Sequence, residues 1–203
     1  MEIRYIHRKT NTVEVEKIYG HRALSLFYGD SWTSRLFSFL FTPLLSRIPI
    51  FSKIYGYFQK RPKSAKKIDP FINTYGIDRS EFANTNFNSF NDFFTRKLKK
   101  EVRPIVQDPR RAVLPADGRY LVFPSLQQED LFYVKGRPFD LVTFLQNGAY
   151  ARRYHEGSMV IARLCPTDYH RFHFVADGIP ARSQPIDGDY HSVSPIALRK
   201  NFS

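Results

Sequence analysis

Met159-Val160-Ile161-Ala162-Arg163-Leu164-Cys165-Pro166-Thr167-Asp168-Tyr169-His170-Arg171-Phe172-His173-Phe174-Val175 is the stretch on which the fold reading turns. Two short β-prone runs, Met159 to Leu164 and Tyr169 to Val175, are separated by a break containing Pro and Asp. Similar runs lie upstream at Ala112 to Leu114, Tyr120 to Phe123 and Leu131 to Val134, again punctuated by Gly, Pro and Asp. Phe139 to Gln146 reads as one interrupting helical turn or short helix. This texture predicts an antiparallel β-rich domain over residues 112–203, with no repeat of solenoid length.

Upstream the texture is different. Between Ala23 and Phe58 apolar and aromatic residues are dense and helically spaced. Asp30, Ser31 or Thr33 can cap a helix running through Leu40, Pro43 and Pro49 break or kink it, and a second helix is predicted over Ile50 to Gln59. Phe87 to Leu98 is predicted as a helix with Ser89 and Asp92 as a capping-box-like start and Phe90, Phe93, Phe94 and Leu98 on one face. The fold class is therefore α+β, with a basic helical region over 1–111 followed by the β-rich domain.

Charge divides the chain the same way. Residues 1–111 hold 21 Lys and Arg against 10 Asp and Glu, whereas residues 112–203 hold 10 against 9. A cationic half attracts phosphate, whether on an anionic membrane leaflet or on nucleic acid. Apolar helices followed by Lys60-Arg61-Pro62-Lys63-Ser64-Ala65-Lys66-Lys67 fit a segment lying in a membrane interface. The plainer reading is a helical layer on the domain's own core with a solvated charge run. Nucleic acid is not expected as a partner, because no zinc-finger, recognition-helix or RNA-binding signature accompanies the charge. The run Leu36 to Ser46 is too short to span a bilayer, which takes about 20 residues, and the first twenty residues lack the apolar core of a signal peptide. The single cysteine, Cys165, excludes an internal disulfide and reads as a small buried hydrophobe.

Histidine changes charge near neutral pH, so His170 and His173, with Asp168 beside them, suggest proton-transfer chemistry. Residues three apart point to opposite faces of a strand but share a face of a helical turn. A metal held by Asp168, His170 and His173 needs such a turn and further ligands, with His191 the only nearby histidine; the pattern is weak for zinc and no metal is expected. An ordinary packed pair is the other reading, Phe172 and Phe174 marking the segment as partly buried. Of the three Asp-Gly pairs, at Asp117, Asp177 and Asp187, each is explained by a tight turn.

Pro115-Ala116-Asp117-Gly118 together with Asp168-Tyr169-His170-Arg171-Phe172-His173 resembles the paired signatures of the pyruvoyl-dependent phosphatidylserine decarboxylase proenzymes. Further similarity lies in the blocks from Ile68 to Ile105, in Val134 to Phe139 and in Ser192 to Pro195, so that it covers roughly 68–198. Ala176 and Ser194 are mild departures, standing where proline and asparagine are frequent. The resemblance implies that Asp117 orients His173, which acts as the base on a serine in a downstream Gly-Ser bond. The serine oxygen attacks the preceding carbonyl, a Ser-His-Asp arrangement turned on its own backbone. Elimination from the resulting ester and loss of ammonia leave a pyruvoyl group. The cofactor's carbonyl condenses with the amine of phosphatidylserine and accepts the electron pair left by carbon dioxide, giving phosphatidylethanolamine. The same resemblance casts His170 as the residue that positions substrate or delivers a proton.

It also implies an anionic phospholipid membrane, a smaller pyruvoyl-bearing subunit and a place on the cytoplasmic side of the cell membrane, peripherally bound; a homodimer stays open. The only Gly-Ser pair is Gly157-Ser158, ahead of the histidines, where it most simply turns the chain into a strand. The expectation is that the processing serine lies beyond residue 203, that the sequence is truncated before it, and that the chain alone is inactive. A catalytically silent membrane-binding remnant is the alternative from another class, with a basic nucleic-acid-binding protein after it.

Overall fold

The computed structural model describes residues 4–16, 31–34, 36, 49–108, 110–128, 131–134 and 137–188. They fall into two compact units, a helical one made of 50–119 and 164–183, and a hairpin one made of the described residues in 1–49, 120–163 and 184–203.

The helical unit opens with α1, Pro49–Lys60, the helix expected over Ile50 to Gln59. None of its residues is buried, and Phe51, Ile54, Tyr55 and Phe58, spaced to share one face, are all exposed. A 3-10 turn, Pro62–Lys67, leads into α2, Ile68–Tyr75. Ile68, Phe71 and Ile72 are buried at the i, i+3, i+4 spacing of one helix face. Gly76 ends α2 at φ 64°, a left-handed position that glycine adopts without strain.

The core of this unit is aromatic. Phe93, on α3 (Phe90–Phe94), is 0% exposed and meets the rings of Phe71, Phe82, Phe87 and Phe90 with centroids 5.5 to 6.1 Å away. The basic run is anchored to this core by its one buried side chain. The Ser64 hydroxyl shares its proton between the carbonyls of Gln59 and Arg61, at 2.8 and 2.7 Å, and accepts the N–H of Phe90 at 2.9 Å. Lys63, Lys66 and Lys67 stay exposed around it.

α3 begins as expected, the Ser89 hydroxyl accepting the Asp92 N–H at 3.1 Å, while the Asp92 carboxylate accepts from Asn88 N–H at 3.0 Å. The expected continuation to Leu98 does not occur, and the helix stops at Phe94. Leaving the helix lets Leu98 form a β-bridge with Phe82, flanked by Ala83 N–H to Lys97 and Lys99 N–H to Glu81. It also lays the Arg96 guanidinium over Phe82 and Phe93, 5.2 and 4.9 Å from the ring centres.

Two predicted strands of this unit, Ala112 to Leu114 and Tyr169 to Val175, are not regular strands. They nevertheless meet. Val113 N–H donates to Val175 at 3.2 Å and His173 N–H donates to Pro115 at 2.9 Å, two bonds that step two residues in opposite directions, as an antiparallel pair does. Pro115, which has no N–H to donate, and the turn at 115–118 keep the pairing to this fragment.

In the hairpin unit, β1 (Arg4–His7) and β2 (Thr12–Val15) pair antiparallel, a hairpin the sequence reading did not anticipate. β3 (Arg119–Phe123) pairs with β6 (Met159–Arg163), and β4 (Phe132–Val134) pairs antiparallel with β5 (Arg137–Phe139). The short helix expected over Phe139 to Gln146 is α4, Leu141–Leu145, capped by Asp140. It is followed by α5, Gly148–Tyr154, which was not expected. Phe132, Phe139 and Phe144 form this unit's small aromatic cluster. Helices and antiparallel hairpins together make the chain α+β.

Residues 32–34 are helical, with the Ser31 hydroxyl accepting the Ser34 N–H at 3.1 Å. Most of the helix expected through Leu40 lies outside the described residues, as do Lys135, Gly136, His191 and Ser192 to Pro195.

Because Phe93 has four aromatic neighbours and no exposure, Phe93→Ala is expected to cost about 3–5 kcal/mol in urea unfolding followed by circular dichroism. Ser64→Ala, which removes the cap on Phe90, is expected to cost about 0.5–2 kcal/mol. A loss below about 1 kcal/mol for Phe93→Ala would place the core elsewhere.

Candidate functional site

Asp117 sits in the bend Pro115–Gly118 that leads into β3, and Gly118 takes φ 147°, a backbone angle that side chains disfavour. The turn presents the Asp117 carboxylate to Arg103. Nε of Arg103 donates to Oδ1 at 2.9 Å and Nη2 donates to Oδ2 at 2.7 Å, a bidentate pair. Nη1 of Arg103 lies 3.6 Å from Glu81. The bond to Asp117, with Glu81 behind it, raises the pKa of Arg103. In the sequence Arg103 stands out only as a member of the block from Ile68 to Ile105, and its separation of 14 residues from Asp117 carries no signal of this partnership.

His170 is stacked on Phe94, ring centres 3.9 Å apart and planes 24° from parallel. Its Nε2 lies 3.0 Å from the carbonyl oxygen of Cys165. A carbonyl oxygen only accepts, so Nε2 carries the proton and Nδ1 keeps its lone pair. Burial lowers the pKa of His170 below 6.5, opposed in part by the Cys165 carbonyl and by Asp168. Neutral imidazole is therefore its form at pH 7.

Asp168 has another task than the histidines. It accepts Arg119 Nη1 at 3.0 Å and the N–H of Cys165 at 2.8 Å, closing the turn that precedes His170. Cys165 is buried, as expected of a small hydrophobe, with its sulfur 2.9 Å from the Thr167 hydroxyl. No metal-holding group of three His, Cys, Asp or Glu occurs among the described residues.

His173 is tied through its backbone to Pro115, two residues from Asp117, and its Nε2 is buried with no hydrogen-bond partner among the described residues. His170 and His173 both line a cavity of about 510 Å³ whose wall also carries Lys99, Lys100, Arg103 and Arg171. They share this wall because residues 169–175 are irregular, not the strand that would point them apart. The expectation that Phe172 and Phe174 are partly buried is corrected: Phe172 is 84% exposed and Phe174 is exposed as well. Asp117 is not on the cavity wall and makes no hydrogen bond to His173 among the described residues. Arg103, which is on the wall, holds it.

Two imidazoles on a cationic cavity, one of them neutral and one with a buried free nitrogen, make a site suited to proton transfer on an anionic substrate. The family profile described as phosphatidylserine decarboxylase matches residues 90–203. The chain is similar to the phosphatidylserine decarboxylase proenzyme of Clostridium botulinum (strain Kyoto / Type A2), 42% identical over 200 residues, covering 98% of this chain and 66% of that protein. It is likewise 41% identical over 200 residues to that of Chlamydia pneumoniae, covering 98% and 65%. With that of Chlamydia trachomatis serovar L2 (strain ATCC VR-902B / DSM 19102 / 434/Bu) it shares 41% identity over 203 residues, covering 99% and 66%. The chain belongs to the phosphatidylserine decarboxylase family, and it spans just under two thirds of the length of these relatives.

The lowered pKa of His170 has a sign that stability measures. Below its ordinary pKa the unfolded chain binds a proton that folded His170 refuses, so the folded state loses stability as pH falls from about 7 toward 5. Imidazole NMR should give His170 a midpoint below 6.5, and His170→Gln should flatten the acid limb of the unfolding curve. A midpoint above 6.5 would contradict the buried, neutral assignment.

Proposed function

We propose that this chain carries the larger-subunit part of a phosphatidylserine decarboxylase, which converts phosphatidylserine to phosphatidylethanolamine. The observation that supports this best is the placement of His170 and His173 on one cationic cavity, with His173 bonded by its backbone to the Asp117 turn. In this reading His173 is the base that takes the proton of a serine hydroxyl at its free Nε2, and Asp117 orients the imidazole.

The 203 residues hold one Gly-Ser pair, and its geometry is that of a turn. A Cβ at Gly157 would stand 3.0 Å from the Tyr154 carbonyl oxygen, and the Ser158 hydroxyl donates to Pro124 at 2.6 Å. In this reading Gly157-Ser158 is not the processing pair, and cleavage at a Gly-Ser bond in a segment joined to these residues leaves the serine-derived group at the start of a smaller chain. The pyruvoyl group formed from that serine supplies an electron-accepting carbonyl for the loss of carbon dioxide. The surroundings fit such a group: the cavity carries cations for an anionic headgroup and no carboxylate to repel it. His170 accepts a proton at Nδ1 from the incoming ammonium group and returns it to the carbon that has lost its carboxylate.

Membrane association belongs to the same reading. The exposed face of α1, Phe51, Ile54, Tyr55 and Phe58, is followed at once by exposed Lys60, Arg61, Lys63, Lys66 and Lys67. An apolar face beside a basic cluster suits an anionic bilayer surface, each cation contributing about 1 kcal/mol near it. No helix of the described residues is long and apolar enough to cross a membrane. The proposed location is the cytoplasmic face of the cell membrane, held peripherally.

Joining the chain to a segment that bears Gly-Ser-Thr, by fusion or by mixing, is expected to yield self-cleavage and decarboxylation of phosphatidylserine. Asp117→Asn and His173→Gln should slow cleavage by about three orders of magnitude or more. His170→Gln should leave cleavage intact and abolish phosphatidylethanolamine formation. Cleavage that survives both Asp117→Asn and His173→Gln would overturn the assignment. In vesicle sedimentation, Phe51→Asp with Ile54→Asp should remove the salt-resistant part of binding to anionic vesicles, the remaining part falling steeply with salt.

A further inference from the structure

Arg171 is fixed on the cavity wall in an unusual way. Its Nε donates to the carbonyl oxygen of Thr95 at 2.9 Å and to that of Arg96 at 3.2 Å, the two residues that follow α3. The guanidinium plane is thereby set by backbone, while Nη1 and Nη2 have no partner among the described residues. Other cations on the wall are partly answered. Arg103 is held by Asp117 and Glu81, and Lys99 lies within electrostatic reach of Asp78. Lys100 and Arg171 form no ion pair among the described residues, and the cavity lining contains neither Asp nor Glu. A planar fork of unpaired N–H donors, held rigid by its own Nε, is the geometry that takes two oxygens of one oxyanion.

Building on the function proposed above, we propose that Arg171 anchors the phosphodiester of the phosphoserine headgroup in this cavity. The headgroup offers two oxyanions, and the chemistry chooses between them. A guanidinium clamped on the carboxylate would stabilise the very charge that must be lost as carbon dioxide, which raises the barrier. The same clamp on the phosphodiester is indifferent to the reaction, because that group is present in substrate and product alike. Arg171 thus contributes uniform binding and orientation, and the carboxylate is left outside its clamp, on the part of the wall that carries His170.

The test uses the chain of 203 residues and needs no processing. Glycerophosphoserine, glycerophosphoethanolamine, serine and inorganic phosphate are titrated separately while the arginine Nε–Hε and histidine ring signals are followed by NMR. Glycerophosphoserine and glycerophosphoethanolamine are expected to bind within about threefold of one another. Arg171→Gln should weaken both by tenfold or more, and Lys100→Gln should weaken them less. Serine should leave the signals unmoved, and inorganic phosphate should bind more weakly than either diester. Should Arg171→Gln fail to fold by circular dichroism, Arg171→Lys is read instead, with a loss of at least threefold expected.

Binding of serine that Arg171→Gln abolishes would overturn the proposal in favour of the carboxylate. Inorganic phosphate bound as tightly as the diesters would overturn the headgroup as the source of the anion. Diester affinity unchanged by Arg171→Gln, or no diester binding, would overturn it outright. Self-cleavage in the joined protein reports on Asp117 and His173 alone, so failure of the headgroup assignment and failure of the underlying reading give different results.

Discussion

The enclosure of the Phe93 ring is the constraint on which the site depends. α3 is five residues long, too short to be stable by its own hydrogen bonds. It exists because Phe93 is fully enclosed by Phe71, Phe82, Phe87 and Phe90, and because Ser64 and Ser89 satisfy its first amides. Once that ring is fixed, the next three residues have little freedom. Phe94 becomes the platform for His170, and the carbonyls of Thr95 and Arg96 become the acceptors that orient Arg171. One hydrophobic burial thus sets the direction of two groups on the cavity wall.

Burial also explains the charge arrangement beneath the site. Arg96 is only 5% exposed, and its Nε and Nη1 have no hydrogen-bond partner among the described residues. An isolated buried cation is costly, and desolvation lowers its pKa accordingly. The faces of Phe82 and Phe93 offset part of that cost through cation–π attraction. The carboxylates of Glu81 and Asp117 offset more. Those same carboxylates bind Arg103, so Asp117 belongs to a network of two arginines and two acids before it belongs to any histidine.

What the sequence disclosed and what it withheld follow from range of interaction. Local signals were legible: the amphipathic spacing of α1, the Ser89 cap, the Asp140-capped α4 and the β-prone Met159 to Leu164. The helix expected to reach Leu98 was cut short by a tertiary contact, since only an extended chain lets Leu98 pair with Phe82. The pairing of Arg103 with Asp117, of Arg119 with Asp168 and of Arg171 with the end of α3 spans 14, 49 and 75 or more residues. Spacing carries no signal at those distances. Phe172 was misread because aromatic residues beside a motif look like core, whereas the irregular chain turns this one outward. The two histidines were singled out from their type and proximity, but their common wall depended on the segment not being a strand.

In the proposed reaction, the state of Asp117 becomes the central question of geometry. A carboxylate that orients an imidazole accepts the proton of one ring nitrogen and leaves the other free to act on a hydroxyl. Here the carboxylate is engaged on both oxygens by Arg103, while His173 already has its Nε2 buried and free. In that reading Asp117 exchanges one partner for the other. The Pro115 carbonyl already holds the His173 amide, so the turn bearing Asp117 and the residue bearing the imidazole are bonded neighbours. Arg103 is part-exposed and keeps Glu81 as a second acceptor, so water and Glu81 can take up its donors when Asp117 turns. In that reading the ion pair with Arg103 holds the carboxylate at the turn bonded to His173 until the hydroxyl to be activated is present.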